Sequence, residues 1–341
     1  MPDSVDAHAR NLSASDRGTW KAAVDALVAL GAEAVDHVLP YVREGGSAGL
    51  GDAEPVLRRL GTEAERRLRH IRRQGPGRLR GKALVALAAL GGGESLDRAD
   101  RSAVERLVRI KLLAELPVRL PADTGRWLAF PADRTQDAVS VLGLHDLRPA
   151  TTEMGVAAAT RFTDRIELPH PQGSPGSQGS QDSAHRVFIT PELTNRDRTL
   201  PIRNWRLLWG DSFIDDHSGF TLADRLSRKC GEAHFYSVDP YHEAENWYVA
   251  RDGRLVRGYS TYGDPQFTGD PLPFEIKYRD DASDPREAAE YANGCPYTSA
   301  AARNLSVHCG FVPETRTQGH GWISGTHPDV PTSRFPGALP V

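Results

Sequence analysis

The residues best suited to chemistry fall into three groups. Cys230 and His234 stand four apart, with Cys295, His308 and Cys309 downstream. Thiolate sulfur and imidazole nitrogen are the ligands zinc prefers, so these five could assemble a mixed sulfur and nitrogen site. Their spacing argues against it, because Cys230 reads as the end of a helix and His234 as part of the following strand. Three thiols in a chain of this length, all in its last third, also fit buried, reduced cysteines. The second group is Asp211, Asp215, Asp216 and His217, between a strand and a helix. Carboxylates beside a histidine can bind a hard cation or move protons, but at a helix entry they more often cap.

The third group is cationic. The stretch 58–82 carries ten basic residues (Arg58, Arg59, Arg66, Arg67, Arg69, Arg72, Arg73, Arg78, Arg80 and Lys82) against Glu63 and Glu65. Arg66, Arg67, Arg69, Arg73, Arg78 and Arg80 are the candidate binding residues. Such a strip can meet phosphates, and the Gly75-Pro76-Gly77 break can free backbone donors at a helix start. It can equally be a solvated face whose arginine stems cover apolar surface. No aromatic residue interleaves the arginines, and the net charge of the whole chain is -3, which does not favour a polyanionic partner.

No catalytic signature stands out. His242-Glu243 lacks the second histidine of a helical zinc-protease motif, and no Gly-x-Ser-x-Gly elbow, phosphate loop or dinucleotide fingerprint is present. These absences imply no cofactor and point away from an enzyme. No apolar run approaches the roughly 20 residues that span a bilayer, and the polar first 17 residues do not read as a secretory leader. The expectation is a cytoplasmic protein without a membrane partner.

The elements that position these residues follow from periodicity. At 341 residues the chain predicts two domains. In its first third, Leu30-Gly31, Leu60-Gly61 and Leu90-Gly91 recur about every 30 residues, preceded by Ala26-Leu27, Val56-Leu57 and Ala86-Leu87. Each unit reads as helix, Leu-Gly turn, helix. Thr62 with Glu65 predicts a capping box opening the second helix of its pair. Ala64, Leu68 and Ile71 share one face of that helix and match Ala34, Val38 and Tyr41. A hairpin with one apolar stripe needs a stacked neighbour to bury it. This region, over about 20–116, resembles HEAT-like repeats of the short bacterial type also found in phycobilisome-lyase-related proteins. The resemblance implies a helical array, of a kind that serves alike as scaffold, enzyme subunit or nucleic-acid binder.

Beyond it, strands are predicted over 127–130, 187–190, 205–209 and 233–238, with helices over 135–142 and 222–229. A hairpin over 247–250 and 255–259 turns on Arg251-Asp252-Gly253. Strands dominate, so the second domain is an antiparallel α+β sheet. Trp205, Leu207 and Trp209 alternate onto one face, as do Trp247 and Val249, and read as core. The segments Trp205-Arg-Leu-Leu-Trp-Gly and Leu226-Ser-Arg-Lys-Cys-Gly-Glu-Ala-His-Phe-Tyr resemble a domain of uncharacterised actinobacterial proteins that also follows helical repeats. The resulting organisation is a flexible N-terminus (1–18), HEAT-like repeats (19–116), an α+β domain (124–310) with a disordered loop at 169–184, and an irregular tail (311–341). A non-catalytic protein-binding scaffold is the expected role, with nucleic-acid binding through 58–82, or a metal-dependent or hydrolytic activity of the second domain, as alternatives.

Overall fold

The computed structural model describes residues 2–42, 50–113, 115, 125–159, 164–168, 183–195, 204–261, 266–275, 298–307 and 315–335. The chain divides into two compact units, Met1–Leu113 with Ser333–Val341, and Ala114–Thr332.

The first unit is helical. Asp16 accepts a hydrogen bond from Thr19 N at 2.7 Å and opens α2 (Arg17–Ala29). Gly31, at φ +63°, turns the chain into α3 (Ala34–Val38), which a tight turn at Leu39–Tyr41 prolongs. The pattern repeats with α4 (Glu54–Leu60), Gly61 at φ +53° and α5 (Thr62–Gln74). It repeats again with α6 (Gly77–Gly91) and α7 (Arg98–Leu113), where Gly91 stays helical and Gly92 takes the positive φ. The hairpins lie side by side: α2 packs on α4, α3 on α5, and α5 on α6. Ala34, Val38, Ala64, Leu68 and Ile71 are all buried in the seam between them.

Two expectations are corrected in this unit. Thr62 is the first helical residue and its side chain caps nothing; Gly61 occupies the cap, and the Glu65 side chain turns to Arg69 instead. The stretch 1–18 is not simply a flexible extension, since it holds α1 (Pro2–Asn11), packed on α2 and α3 with Ala9 and Leu12 buried. Val5 and Ala9, four apart, with Leu12 just past the helix end, give that short polar helix one apolar edge.

The second unit is built on an antiparallel sheet. Along its main path the strands run β10 (Gln266–Gly269), β9 (Arg254–Ser260), β8 (Ala244–Arg251), β7 (Glu232–Asp239), β1 (Gly125–Pro131), β6 (Asn204–Trp209), β4 (Ser183–Ile189), β12 (Gly321–Gly325) and β2 (His145–Ala150). β3 (Arg165–Glu167) pairs with β4, and β5 (Glu192–Asn195) joins β6 to β11 (Thr315–Gln318). The β8–β9 turn has both Asp252 and Gly253 at positive φ, as a two-residue hairpin requires. The tail expected to be irregular therefore contributes two strands. Gly321 is part of the reason β12 fits, because a Cβ there would sit 2.5 Å from the Phe188 ring. Of the expected loop at 169–184, residues 169–182 lie outside the described residues, and Ser183 and Ala184 open β4.

Alternation sorts the sheet into two faces. One carries Leu128, Phe130, Val187, Ile189, Leu208, Ala233, Phe235 and Ala250 against α8 (Thr135–Leu142) and α10 (Asp216–Cys230). The opposite face carries Trp127, Trp205, Trp209, Tyr236 and Trp247, all fully buried, as expected of core residues. Two further helices of this unit are among the described residues. α9 (Thr152–Ala159) packs on β4, with Gly155 against the Phe188 ring, and α11 (Thr298–Asn304) packs on β7 and β8.

Candidate functional site

The arginine strip is basic in sequence and largely neutralised in space. Arg59 of α4 bonds Asp25 of α2 at 2.6 Å, and Arg67 of α5 bonds Asp36 of α3 at 2.7 Å. Arg72 of α5 bonds Asp100 of α7 at 2.7 Å, and Arg73 reaches Asp97 at 3.6 Å. Arg58 and Arg69 pair within their own helices with Glu54 and Glu65. Arg80 donates to the Gly75 carbonyl, and Lys82 to that of Pro40. Of the six candidate binding residues, Arg67, Arg69 and Arg73 are thus ion-paired and Arg80 is bound to backbone. Arg66 and Arg78 are exposed and have no hydrogen-bond or ion-pair partner among the described residues. Most of the strip staples one hairpin to the next.

The proposed zinc ligands do not converge where they are described. Cys230 lies under α8 and α10 in the core, with Sγ 3.9 Å from the Arg134 carbonyl, while His234 occupies the opposite face of the sheet. Burial pushes the Cys230 thiol up to about 11, which disfavours the free thiolate at neutral pH. Cys295, His308 and Cys309 lie outside the described residues. Among the described residues no group of three or more His, Cys, Asp or Glu is placed to hold a metal ion.

The aspartates divide by role. Asp215 precedes α10, accepting from Ser218 N at 2.6 Å while its own N donates to Ser218 Oγ at 3.0 Å, which is a cap. Asp216 and His217 begin α10. Asp211 is instead drawn into the unit, facing Arg126 N at 3.5 Å, and burial holds its carboxyl above the ordinary range. Its neighbour Asp164, fully buried, accepts from Ser212 Oγ at 2.6 Å, and burial pushes its carboxyl up to about 6.

The sequence reading missed a polar row on β7. Glu232, His234 and Tyr236 are two apart and share the aromatic face. Glu232 Oε1 lies 2.9 Å from His234 Nε2, and His234 Nδ1 lies 3.0 Å from Tyr236 Oη. A neutral imidazole donating from Nε2 and accepting the phenol proton at Nδ1 satisfies both contacts. Arg251, opposite Glu232 across the strand pair, donates to the same carboxylate at 3.3 Å. Ala129, paired with His234 on the other side, is small enough to let the Trp205 ring approach the imidazole to 4.8 Å. Alternation along 232–236 was the available signal, but only the register brings Arg251 and Trp205 to it.

At the Glu232 end of this row opens a cavity of about 620 Å³, lined by Pro131, Asp133, Glu192, Asn204, Trp205, Cys230, Gly231 and Glu232. Asn204 is held by its Nδ2 donating to Glu192 Oε1 and by its Oδ1 accepting from Thr194 Oγ1. Glu232 and Trp205 are buried, while Asp133 is exposed.

No protein-family model, no curated protein and no solved structure matches this chain.

Proposed function

We propose that this chain is a non-catalytic binding protein whose helical unit is a short HEAT-like array that docks another protein. The observation that carries this reading is the set of ion pairs between hairpins. Arg59–Asp25, Arg67–Asp36 and Arg72–Asp100 join consecutive hairpins, so the arginines hold the stack together. A ridge of paired charges presents mixed, nearly balanced polarity, which suits a protein surface better than a polyphosphate. Among the described residues no helix is long and apolar enough to cross a membrane.

Affinity capture from lysate under native conditions tests the reading, comparing the wild type with an Arg66→Glu, Arg78→Glu variant. Both substitutions fall on exposed arginines that hold no partner among the described residues, so the fold is retained. One protein recovered reproducibly with the wild type and depleted with the variant is the expected result. Recovery of no protein, together with nucleic-acid binding that falls steeply with added salt and vanishes in the variant, overturns it in favour of a polyanion.

A further inference from the structure

The cavity beside Glu232 lies wholly within the sheet unit, and nothing in the partner-binding role of the helical unit requires it. Its volume, about 620 Å³, is that of a small-molecule site. Among the described residues, three of the eight that line it are carboxylates, Asp133, Glu192 and Glu232, and none is basic. Two of them are fixed. Glu232 is held by His234 Nε2 and Arg251, and Glu192 is tethered to Asn204, whose amide is also engaged by Thr194. Oriented acceptors of this kind bind without the entropic cost of ordering loose side chains. Neither Arg251 nor the buried Arg206 lines the cavity; Arg251 bonds the Glu232 carboxylate and Arg206 donates to the Thr190 carbonyl. Arg134 sits outside, between Asp133 and Asp137.

A second and independent feature is Trp205. It lines the cavity, is 1% exposed, and its Nε1 has no acceptor among the described residues. A buried indole N–H without a partner is costly, and an oxygen brought by a ligand removes that cost. The Cys230 thiol adds only apolar wall, because it stays protonated.

We infer that this cavity binds a small organic cation, an ammonium or guanidinium compound that also carries a carbonyl or hydroxyl oxygen. The cationic end lies on Glu192 and Glu232, and the oxygen lies at the indole of Trp205. His234 and Arg251 are positioning residues that fix the Glu232 carboxylate, and no bond is made or broken.

The test uses the full chain and L-argininamide, which carries guanidinium, ammonium and carbonyl groups, followed by titration calorimetry and tryptophan fluorescence. Saturable binding is expected, weakened at least about tenfold by Glu192→Gln, which removes one charge-assisted bond at the rim. Glu232→Gln has the same expected effect. Because that change also touches His234 and Arg251, the rim variant is the deciding one. Glutarate, an anion of comparable size, is expected not to bind. The inference is overturned by no saturation up to about 10 mM argininamide, by equal affinity in Glu192→Gln, or by glutarate binding as well as the cation. None of these outcomes bears on partner docking by the helical unit, so the two readings fail separately.

Discussion

Replacing Asp164 by asparagine should stabilise the sheet unit at neutral pH. Asp164 is fully buried beside Ser212, with Arg186 near enough to favour the anion and Asp211 near enough to oppose it. Burial dominates, and the carboxyl moves from its ordinary value near 3.8 up to about 6. The folded state then holds this proton more tightly than the unfolded chain does. Below about pH 4 both states are protonated and no penalty exists. As pH rises through 4 to 6 the unfolded chain gains the free energy of ionising while the folded state keeps its buried acid protonated, and above about 6 the full penalty, roughly 3 kcal/mol, is present. Asparagine keeps the shape and can serve Ser212 with one acceptor and one donor. The measured quantity is the difference in unfolding free energy, variant minus wild type, from urea titrations between pH 4 and 7.5. Five of the six tryptophans (Trp127, Trp205, Trp209, Trp247 and Trp322) belong to the sheet unit, so fluorescence reports it. His185, whose imidazole burial holds down at about 4, loses stability as pH falls. That slope is common to both proteins and cancels in the difference. The difference should grow by about 2.5 kcal/mol across the range, because about 0.5 kcal/mol of the penalty is already present at pH 4. A difference flat in pH, or one shrinking as pH rises, refutes the reasoning.

Two more outcomes follow from local geometry. Arg257 and Glu275 form a 2.7 Å ion pair at 7% and 9% side-chain exposure, and Glu275→Ala strands a buried guanidinium. Urea unfolding should show a loss of about 3–5 kcal/mol, whereas a loss below about 1 kcal/mol would mean the pair is solvated. Gly92 combines φ +62° with a position where a Cβ would stand 2.5 Å from the Phe335 carbonyl oxygen. Gly92→Ala should therefore cost the helical unit about 2 kcal/mol or more in thermal or urea unfolding, and Gly77→Ala, which meets nothing within 4 Å at the start of α6, should cost far less.

The order of elements was legible wherever it rests on neighbours in the chain. The Leu-Gly recurrence gave helix ends at Gly31 and Gly61, and even its apparent lapse at Leu90-Gly91 only moved the turn by one residue, to Gly92. Asp252-Gly253 announced its hairpin, and α8 ended at Gly143 in the left-handed conformation as expected. These are local properties: a 3.6 or 2.0 residue period and the few residues that tolerate positive φ.

Everything that decides a site was non-local. The arginines of 58–82 look like a phosphate track until Asp25, Asp36, Asp97 and Asp100 arrive from hairpins on either side. Cys230 and His234 are four apart in sequence, yet Cys230 ends α10 on the helical side of the sheet and His234 points from β7 to the other side. β11 is too short, and β12 too short and too rich in glycine, to declare themselves, and they exist because β5, β4 and β2 offer them ladders. Where a period or a turn residue is local, the sequence by itself determined the helix or strand and its apolar face, but not α1, β11 or β12. Tertiary structure alone decided charge pairing, strand register and the cavity at Glu232, because each depends on groups whose distance is set by the packing of elements far apart along the chain.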